Sequence, residues 1–505
     1  MGGLSAASLL VQEKKYRVLV LERHFKTGGF THAFSRPGGY TWDVGLHYVG
    51  QMAPGDQMRN AFDYLTQGKV KWNPMKDPFE IFSYPGFQFA VSSDSRAYEQ
   101  DLIACFPEED RAIQRYFKDI KSISRYMVSL LLPRVLRLLL SPIFFRTSRL
   151  AKQSLRSVLD NNFKDPRLKA VLASQWGDYG LPPGQSSFFI HAVIAEHYLN
   201  GGFYPEGGAA TIAKSIQEIV ESRSGRFLLN HEVSEILLEG RKAIGVRVRL
   251  TNGSTETYYA PEIYSDAGAQ TTFLKLLPPA VGLSFRKELE DEKPGSSCVT
   301  LYLGLKHDPS SLGIHGQNFW IYSGWDHDDT FRKRNEVVDG RPSSCYLSFP
   351  SKKDPKAVFH TAEIIALVDY EPFKRWTDLP WKNRSSEYEE LKKKISKGLV
   401  QLVDSQVPGF SSNIAYQELS TPLTVEHFTG HPRGQIYGFP ATPERLRKNY
   451  LTARTPIENL YLVGADVGGH GIVGAMVGGI LGVAAKHGFS LLWRVMRGKM
   501  HQTTT

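Results

Sequence analysis

The chain has 505 residues, 41% hydrophobic and 22% charged, which excludes global disorder and is too long for one small core. Lysine and arginine number 61 against 51 acids, and the formal net charge of +10 points to an anionic partner: nucleic acid, a lipid surface or an acidic substrate. Cys105, Cys298 and Cys345 lie far apart with no C-x-x-C pair, which argues against a disulfide scaffold or zinc ribbon and reads as reduced thiols.

Residues 3–13 are predicted to form a helix, with Leu4, Ala7, Ser8 and Val11 on one face. The run 17–22 then reads as a buried strand ending in Glu22. A strand that ends in an acid about 20 residues after a glycine opening a helix is the second half of a dinucleotide-binding unit. Gly3 would be the third glycine of G-x-G-x-x-G, with Gly2 beside it at the helix start. The first strand and two phosphate-facing glycines are therefore expected ahead of residue 1, and a chain beginning here would hold its cofactor weakly. The opening segment lacks the basic leader of a secretory signal. After Glu22 and Arg23, the pair Gly28-Gly29 lets the backbone pass tightly under a cofactor. The block Gly39-Tyr-Thr-Trp-Asp43-Val-Gly45-Leu-His47-Tyr48 follows.

Tyr126 to Arg146 is the most hydrophobic part outside the C-terminal glycine helix. Pro133, Pro142, Arg134 and Arg137 spoil it as a spanning helix, and segment 126–151 suits a monotopic surface dipping into one leaflet. The alternative is a buried helical pair. His191 and His197 are six apart, off a shared helix face, and H-E-x-x-H is absent, so no metal site is expected. Gly202 to Gly208 opens a helix carrying Ile212, Ile216, Ile219 and Val220. Residues 243–250 and 254–260 alternate around Asn252-Gly253 as a hairpin. Strands are predicted at 298–304, 318–322 and 345–349. Near the end, 459–464 reads as a strand running to Asp466, then a glycine-rich turn into a helix. Gly469-x-Gly471-x-x-Gly474 is formally a second dinucleotide fingerprint, and Val467 to Ala485 carries no charge and has helix-pairing glycine spacing. The preceding strand and Asp466 favour a helix buried against protein.

Glu22, Gly28-Gly29 and the Asp43–Tyr48 block together resemble the opening of the phytoene desaturase-like, FAD-dependent carotenoid and retinoid oxidoreductases. The blocks Ser174-Gln-Trp176-Gly177-Asp178-Tyr179, Gly201-Gly202-Phe-Tyr-Pro and Glu418 to Gly438 are similar to its retinol saturase branch. The resemblance implies an α/β fold: a discontinuous Rossmann-like FAD-binding domain (1–50, 201–295 and 441–505), clipped at its N-terminus. A mixed-sheet and helical substrate domain (51–200 and 296–440) would be inserted in it. It further implies that Val233 contacts adenine through its backbone, that Asp466 holds the ribityl or pyrophosphate region, and that the N–H groups of Gly471, Ile472 and Val473 face phosphates or flavin.

In such a group the flavin carries hydride at N5, while the protein orients substrate, excludes water and supplies a proton. Saturating a C=C bond needs hydride on one carbon and a proton on the other. A polyene without a carbonyl spreads the developing positive charge along its length, where aromatic ring faces stabilise it. His47, Tyr48, Tyr437 and His470 are the candidate proton donors, His47 first because its motif lies near the flavin in the family. Trp176 and Tyr179 are candidates for the tunnel wall. The implied activity is reduction of a hydrophobic retinoid or carotenoid. Desaturation and cis–trans isomerisation are alternatives, and so is a non-catalytic lipid escort protein of related fold. NAD(P)H or a reduced carrier would supply electrons. No nucleic-acid motif is present. The ten basic residues of two acid-free stretches, 133–156 and the tail from Lys486, equal the whole net charge and are interleaved with apolar residues. They suggest a membrane-associated protein facing a reducing compartment.

Overall fold

The computed structural model describes residues 1–130 and 139–498. Its largest element is a seven-stranded mixed sheet. In spatial order the strands are Ile414–Ser420, Ser297–Leu305, Thr361–Val368, Ser344–Ser348, Asn318–Tyr322, Glu80–Tyr84 and Phe87–Val91. All neighbours are antiparallel except Asn318–Tyr322 with Glu80–Tyr84. The three strands predicted between 298 and 349 fall in this sheet within a residue or two.

Side chains alternate across a strand, so each strand feeds two faces. Val299, Leu301, Leu303, Ile321, Leu347 and Ile364 join one core with Ile395 and Leu399 of the helix Ser386–Asp404. Cys298, Thr300, Trp320, Tyr322, Tyr346, Ile365 and Leu367 instead line a cavity. All nine residues of Ser297–Leu305 are buried, as a sheet covered on both faces requires. The hairpin predicted around Asn252-Gly253 forms as Lys242–Leu250 against Thr255–Tyr259.

The other half of the molecule is built from both ends of the chain. The helix Gly2–Glu13 packs on the helix Gly471–His487. Leu19–Glu22 pairs in parallel with Arg226–Leu229, and Ile263–Ser265 pairs in parallel with Leu460–Leu462. The two pairs are not hydrogen-bonded to each other, and the cavity runs between them.

The glycine-rich C-terminal segment forms two helices, Ala465–Gly468 and Gly471–His487, broken at Gly469, whose φ is +123°. No helix of the described residues is long and apolar enough to cross a membrane. The glycine spacing serves backbone contact within the protein. A Cβ at Gly474 would stand 2.2 Å from the Gly469 carbonyl oxygen, one at Gly478 2.1 Å from that of Gly464, and one at Gly482 2.3 Å from Val463. Gly478→Ala must push the Gly464 backbone away and is expected to cost about 1–3 kcal/mol. A lowered thermal midpoint checks this; an unchanged midpoint would contradict the close packing.

Candidate functional site

One continuous cavity of about 1690 Å³ joins the two halves. Single-ligand pockets occupy roughly 300–1,000 Å³, so this volume suits a cofactor and a substrate together.

At one end the wall is formed by Leu21, Glu22, Arg23, Gly28, Gly29 and Val233. Glu22 closes its strand and accepts the His24 N–H at 2.8 Å, while burial pushes its carboxyl pKa up. Gly28 and Gly29 both have positive φ, and a Cβ at Gly29 would meet nothing within 4 Å. Gly471 and Ile472 also face the cavity, and a Cβ at Gly471 would likewise stand in open space. The wall is thus cut back where a large planar or phosphorylated group would lie.

Asp466 lines the same region. Its Oδ2 accepts the Ala269 N–H at 2.7 Å and its Oδ1 the Phe439 N–H at 3.3 Å. Arg445 braces this turn by donating to the carbonyls of Phe439 at 2.6 Å and Ala465 at 2.8 Å. Val473 and Gly2 stand behind the wall: Val473 packs against the apolar core, and a Cβ at Gly2 would lie 2.4 Å from Gly464. Asp266, read from sequence only as part of a returning strand, accepts the Gly3 N–H at 2.7 Å. That contact places a carboxylate at the positive end of the first helix.

At the other end the wall is aromatic and apolar: Trp176, Trp320, Tyr322, Tyr346, Ile365 and Leu367. His47 and Tyr437 reach the cavity from opposite sequence halves. His47 Nδ1 lies 2.9 Å from Glu363 Oε2. That nitrogen and both Glu363 oxygens lack a well-directed hydrogen bond, so the two groups are close without being joined by one. Tyr48 is set back in the wall, donates to Asp178 Oδ2 at 2.9 Å and stacks on Tyr198 with centroids 4.3 Å apart.

His470 is not among the lining residues. Its Nε2 meets the Phe439 carbonyl at 2.9 Å, and burial together with Arg445 pushes its pKa down to about 3. Trp176 lines the cavity, whereas Tyr179 is a core residue bonded to His191 Nδ1 at 3.0 Å. His191 also meets Tyr116 at 2.7 Å, and His197 Nε2 accepts the Gly50 N–H at 2.9 Å. Both histidines are therefore used in packing. Among the described residues no cluster suits a metal ion.

Behind the wall lies a buried polar network that residue spacing did not disclose. Glu80 accepts Trp320 Nε1 at 3.0 Å and Gln175 Nε2 at 2.7 Å. Lys353 Nζ donates to the His47 carbonyl at 2.9 Å, to Ser348 Oγ at 2.7 Å and to Asn318 Oδ1 at 2.5 Å. Burial pushes the Lys353 pKa down to about 7 against the opposing pull of Glu363, Glu80 and Asp43. Burial also raises Glu80 and Asp43 to about 7 each.

The model of the family described as flavin containing amine oxidoreductase matches residues 1–260. The chain belongs to that family. It is an FAD-dependent oxidoreductase, and the cut-back glycine wall beside Glu22 fits such a cofactor. The chain is 32% identical to a zebrafish (Danio rerio) all-trans-retinol 13,14-reductase, over 95% of this chain and 83% of that one. It is 26% identical to the chloroplastic prolycopene isomerase of Arabidopsis thaliana, over 95% and 80%. The kinship expected from the Trp176–Tyr179 block therefore holds for this flavoprotein. In fold it matches cyclohexylamine oxidase from Brevibacterium oxydans, with a TM-score of 0.61, 14% identity and coverage of 96% of each chain.

Proposed function

We propose that this flavoprotein reduces a C=C bond of a hydrophobic retinoid or carotenoid. The observation that carries this reading is the continuity of the cavity, from the glycine-cut cofactor end to a wall of Trp176, Trp320, Tyr322 and Tyr346. Glu22, Arg23, Gly28, Gly29 and Val233 hold the nucleotide end of FAD in this reading, and Asp466, Gly471 and Ile472 the flavin side. Bound and reduced, the flavin supplies a hydride with its two electrons. The chain's own residues orient the polyene, exclude water and stabilise spread positive charge through ring faces. NAD(P)H or a reduced carrier protein replenishes the electrons.

Mass spectrometry of lipids after incubation with a retinoid and carotenoid panel tests the reading. Gain of two hydrogens supports it. Loss of two points to a desaturase, and unchanged mass with altered retention to an isomerase. A colourless protein that only retains lipid would be an escort protein.

A lipid-soluble substrate must leave a bilayer, and we place the docking surface at 139–151. Leu139, Ile143 and Phe145 are 70%, 72% and 65% exposed, beside Arg149. The neighbouring 131–138, with Pro133, Arg134 and Arg137, lies outside the described residues, as does Lys499. Part of the basic charge is matched by acids: on this surface Arg146 pairs with Asp119 at 2.7 Å, and elsewhere Arg156 pairs with Asp328 at 2.5 Å and Arg494 with Glu13 at 3.0 Å. Insertion of apolar side chains therefore contributes more to docking than charge does. Changing Leu139, Ile143 and Phe145 together to Asp is expected to abolish flotation with anionic liposomes while flavin absorbance is kept. Flotation equal to that of the unaltered chain would reject this surface. Attachment facing a reducing compartment is compatible with the free thiols of Cys105, Cys298 and Cys345.

A further inference from the structure

We infer that Asp178 is the acid that protonates the polyene carbon next to the one receiving hydride. The inference rests on the reductase reading above.

Six carboxyl side chains reach the cavity: Glu22, Glu232, Glu262, Asp266, Asp466 and Asp178. The first five stand on or beside the strands and turns of the nucleotide half. Asp178 alone among them stands at the aromatic end, next to Trp176 and Gly177 and within the same wall as Trp320, Tyr322, Tyr346 and Tyr437.

Its two oxygens have different surroundings. Oδ2 accepts the Tyr48 hydroxyl at 2.9 Å. Oδ1 has no hydrogen-bond partner among the described residues, which leaves it free to carry the proton. Tyr48 is fixed by its stack on Tyr198, so the carboxyl is held by a rigid donor. Burial and the carboxylate of Glu80 push the Asp178 pKa well up, against the Tyr48 hydrogen bond. Both effects favour the protonated form of the carboxyl. Three of the four sequence-based candidates suit the task less well. His470 is buried behind the wall, Tyr48 is turned onto Asp178, and His47 faces Glu363.

Atoms and electrons balance in this step. A bound, reduced flavin would supply the hydride that forms one C–H bond, and would be left oxidised by two electrons. The π electrons take the Asp178 proton to form the second C–H bond, and Asp178 becomes a carboxylate. The Tyr48 O–H then stabilises that carboxylate until water restores the proton after product release.

The test uses the FAD-loaded chain, reduced chemically without oxygen and mixed with all-trans-retinol for a single turnover. Asp178→Asn keeps an acceptor for Tyr48 and loses the proton. It is expected to bind FAD normally and to form product at least ~100-fold more slowly, the scale of general-acid catalysis. Independently, the infrared difference between the unaltered protein and Asp178→Asn at neutral pH should contain a protonated-carboxyl band, shifted in D₂O, beyond any contribution of Glu80 and Asp43. Turnover by Asp178→Asn within threefold of the unaltered protein would overturn the proposal. If that variant does not fold, Asp178→Glu supplies the infrared comparison, and an unmoved protonated-carboxyl band would also overturn it. If the unaltered protein saturates no polyene, the reductase reading fails and this role falls with it. That outcome is distinct from turnover that does not depend on Asp178.

Discussion

Lys353→Met is expected to destabilise the protein by about 1–3 kcal/mol, the cost of leaving a buried acceptor without its donor. Methionine fills nearly the same volume, so packing is kept and the lost hydrogen bonds are isolated as the variable. Three acceptors lose their donor at once: the His47 carbonyl, Ser348 Oγ and Asn318 Oδ1. Because Lys353 binds the backbone of His47, the loss also frees the wall segment that carries His47 and Tyr48. Urea unfolding at pH 7, followed by tryptophan fluorescence, reads the effect as a lowered midpoint. An unchanged midpoint would show that the network contributes nothing to stability.

Glu80→Gln is expected to act in the opposite direction, and only at higher pH. Burial raises the Glu80 pKa from 4.5 to about 7. Below 4.5 the group is protonated in both folded and unfolded chains, and its titration leaves stability unchanged. Between 4.5 and about 7 the folded protein keeps a proton that the unfolded chain releases, so stability falls as pH rises. Above 7 the full loss is present, about 3 kcal/mol at 1.36 kcal/mol per pKa unit. Glutamine avoids it, keeping an oxygen for Trp320 Nε1 while the Gln175 amide turns to present its own oxygen. The variant should therefore match the unaltered protein near pH 4.5 and exceed it at pH 8. Parallel stability–pH curves for the two would refute the raised pKa.

The cofactor end was legible in the sequence because its geometry constrains residue type locally. A tight turn at Gly28-Gly29, an acid at a strand end and glycines where helix Gly471–His487 meets backbone all leave short-range marks. The sheet strands were legible through alternation and apolar runs. The network around the substrate end left no such mark. Tyr48, Glu80, Asp178, Lys353 and Glu363 come from five separate segments, and no spacing between them is fixed until the sheet forms. Asp178 stands in a block whose residues mark the branch, and nothing local to that block signals its chemistry. Asp266 was hidden for a related reason: its contact with Gly3 spans 263 positions. Part of the charge pattern was not legible, because acids from elsewhere in the chain, Asp119, Asp328 and Glu13, pair with Arg146, Arg156 and Arg494.

The packing of helix Gly2–Glu13 on helix Gly471–His487 also sets a schedule for biosynthesis. The first helix leaves the ribosome more than 450 residues before its partner is made. At about 5–20 residues per second that interval is roughly half a minute to a minute and a half. In that interval the helix can already pack on Gln57–Thr66 and Ala210–Glu221, with which it also makes contact, so only its face toward Gly471–His487 waits uncovered. That half-covered helix is a natural client for a chaperone that binds apolar segments. The cavity wall is complete only once Gly471 and Ile472 have been made.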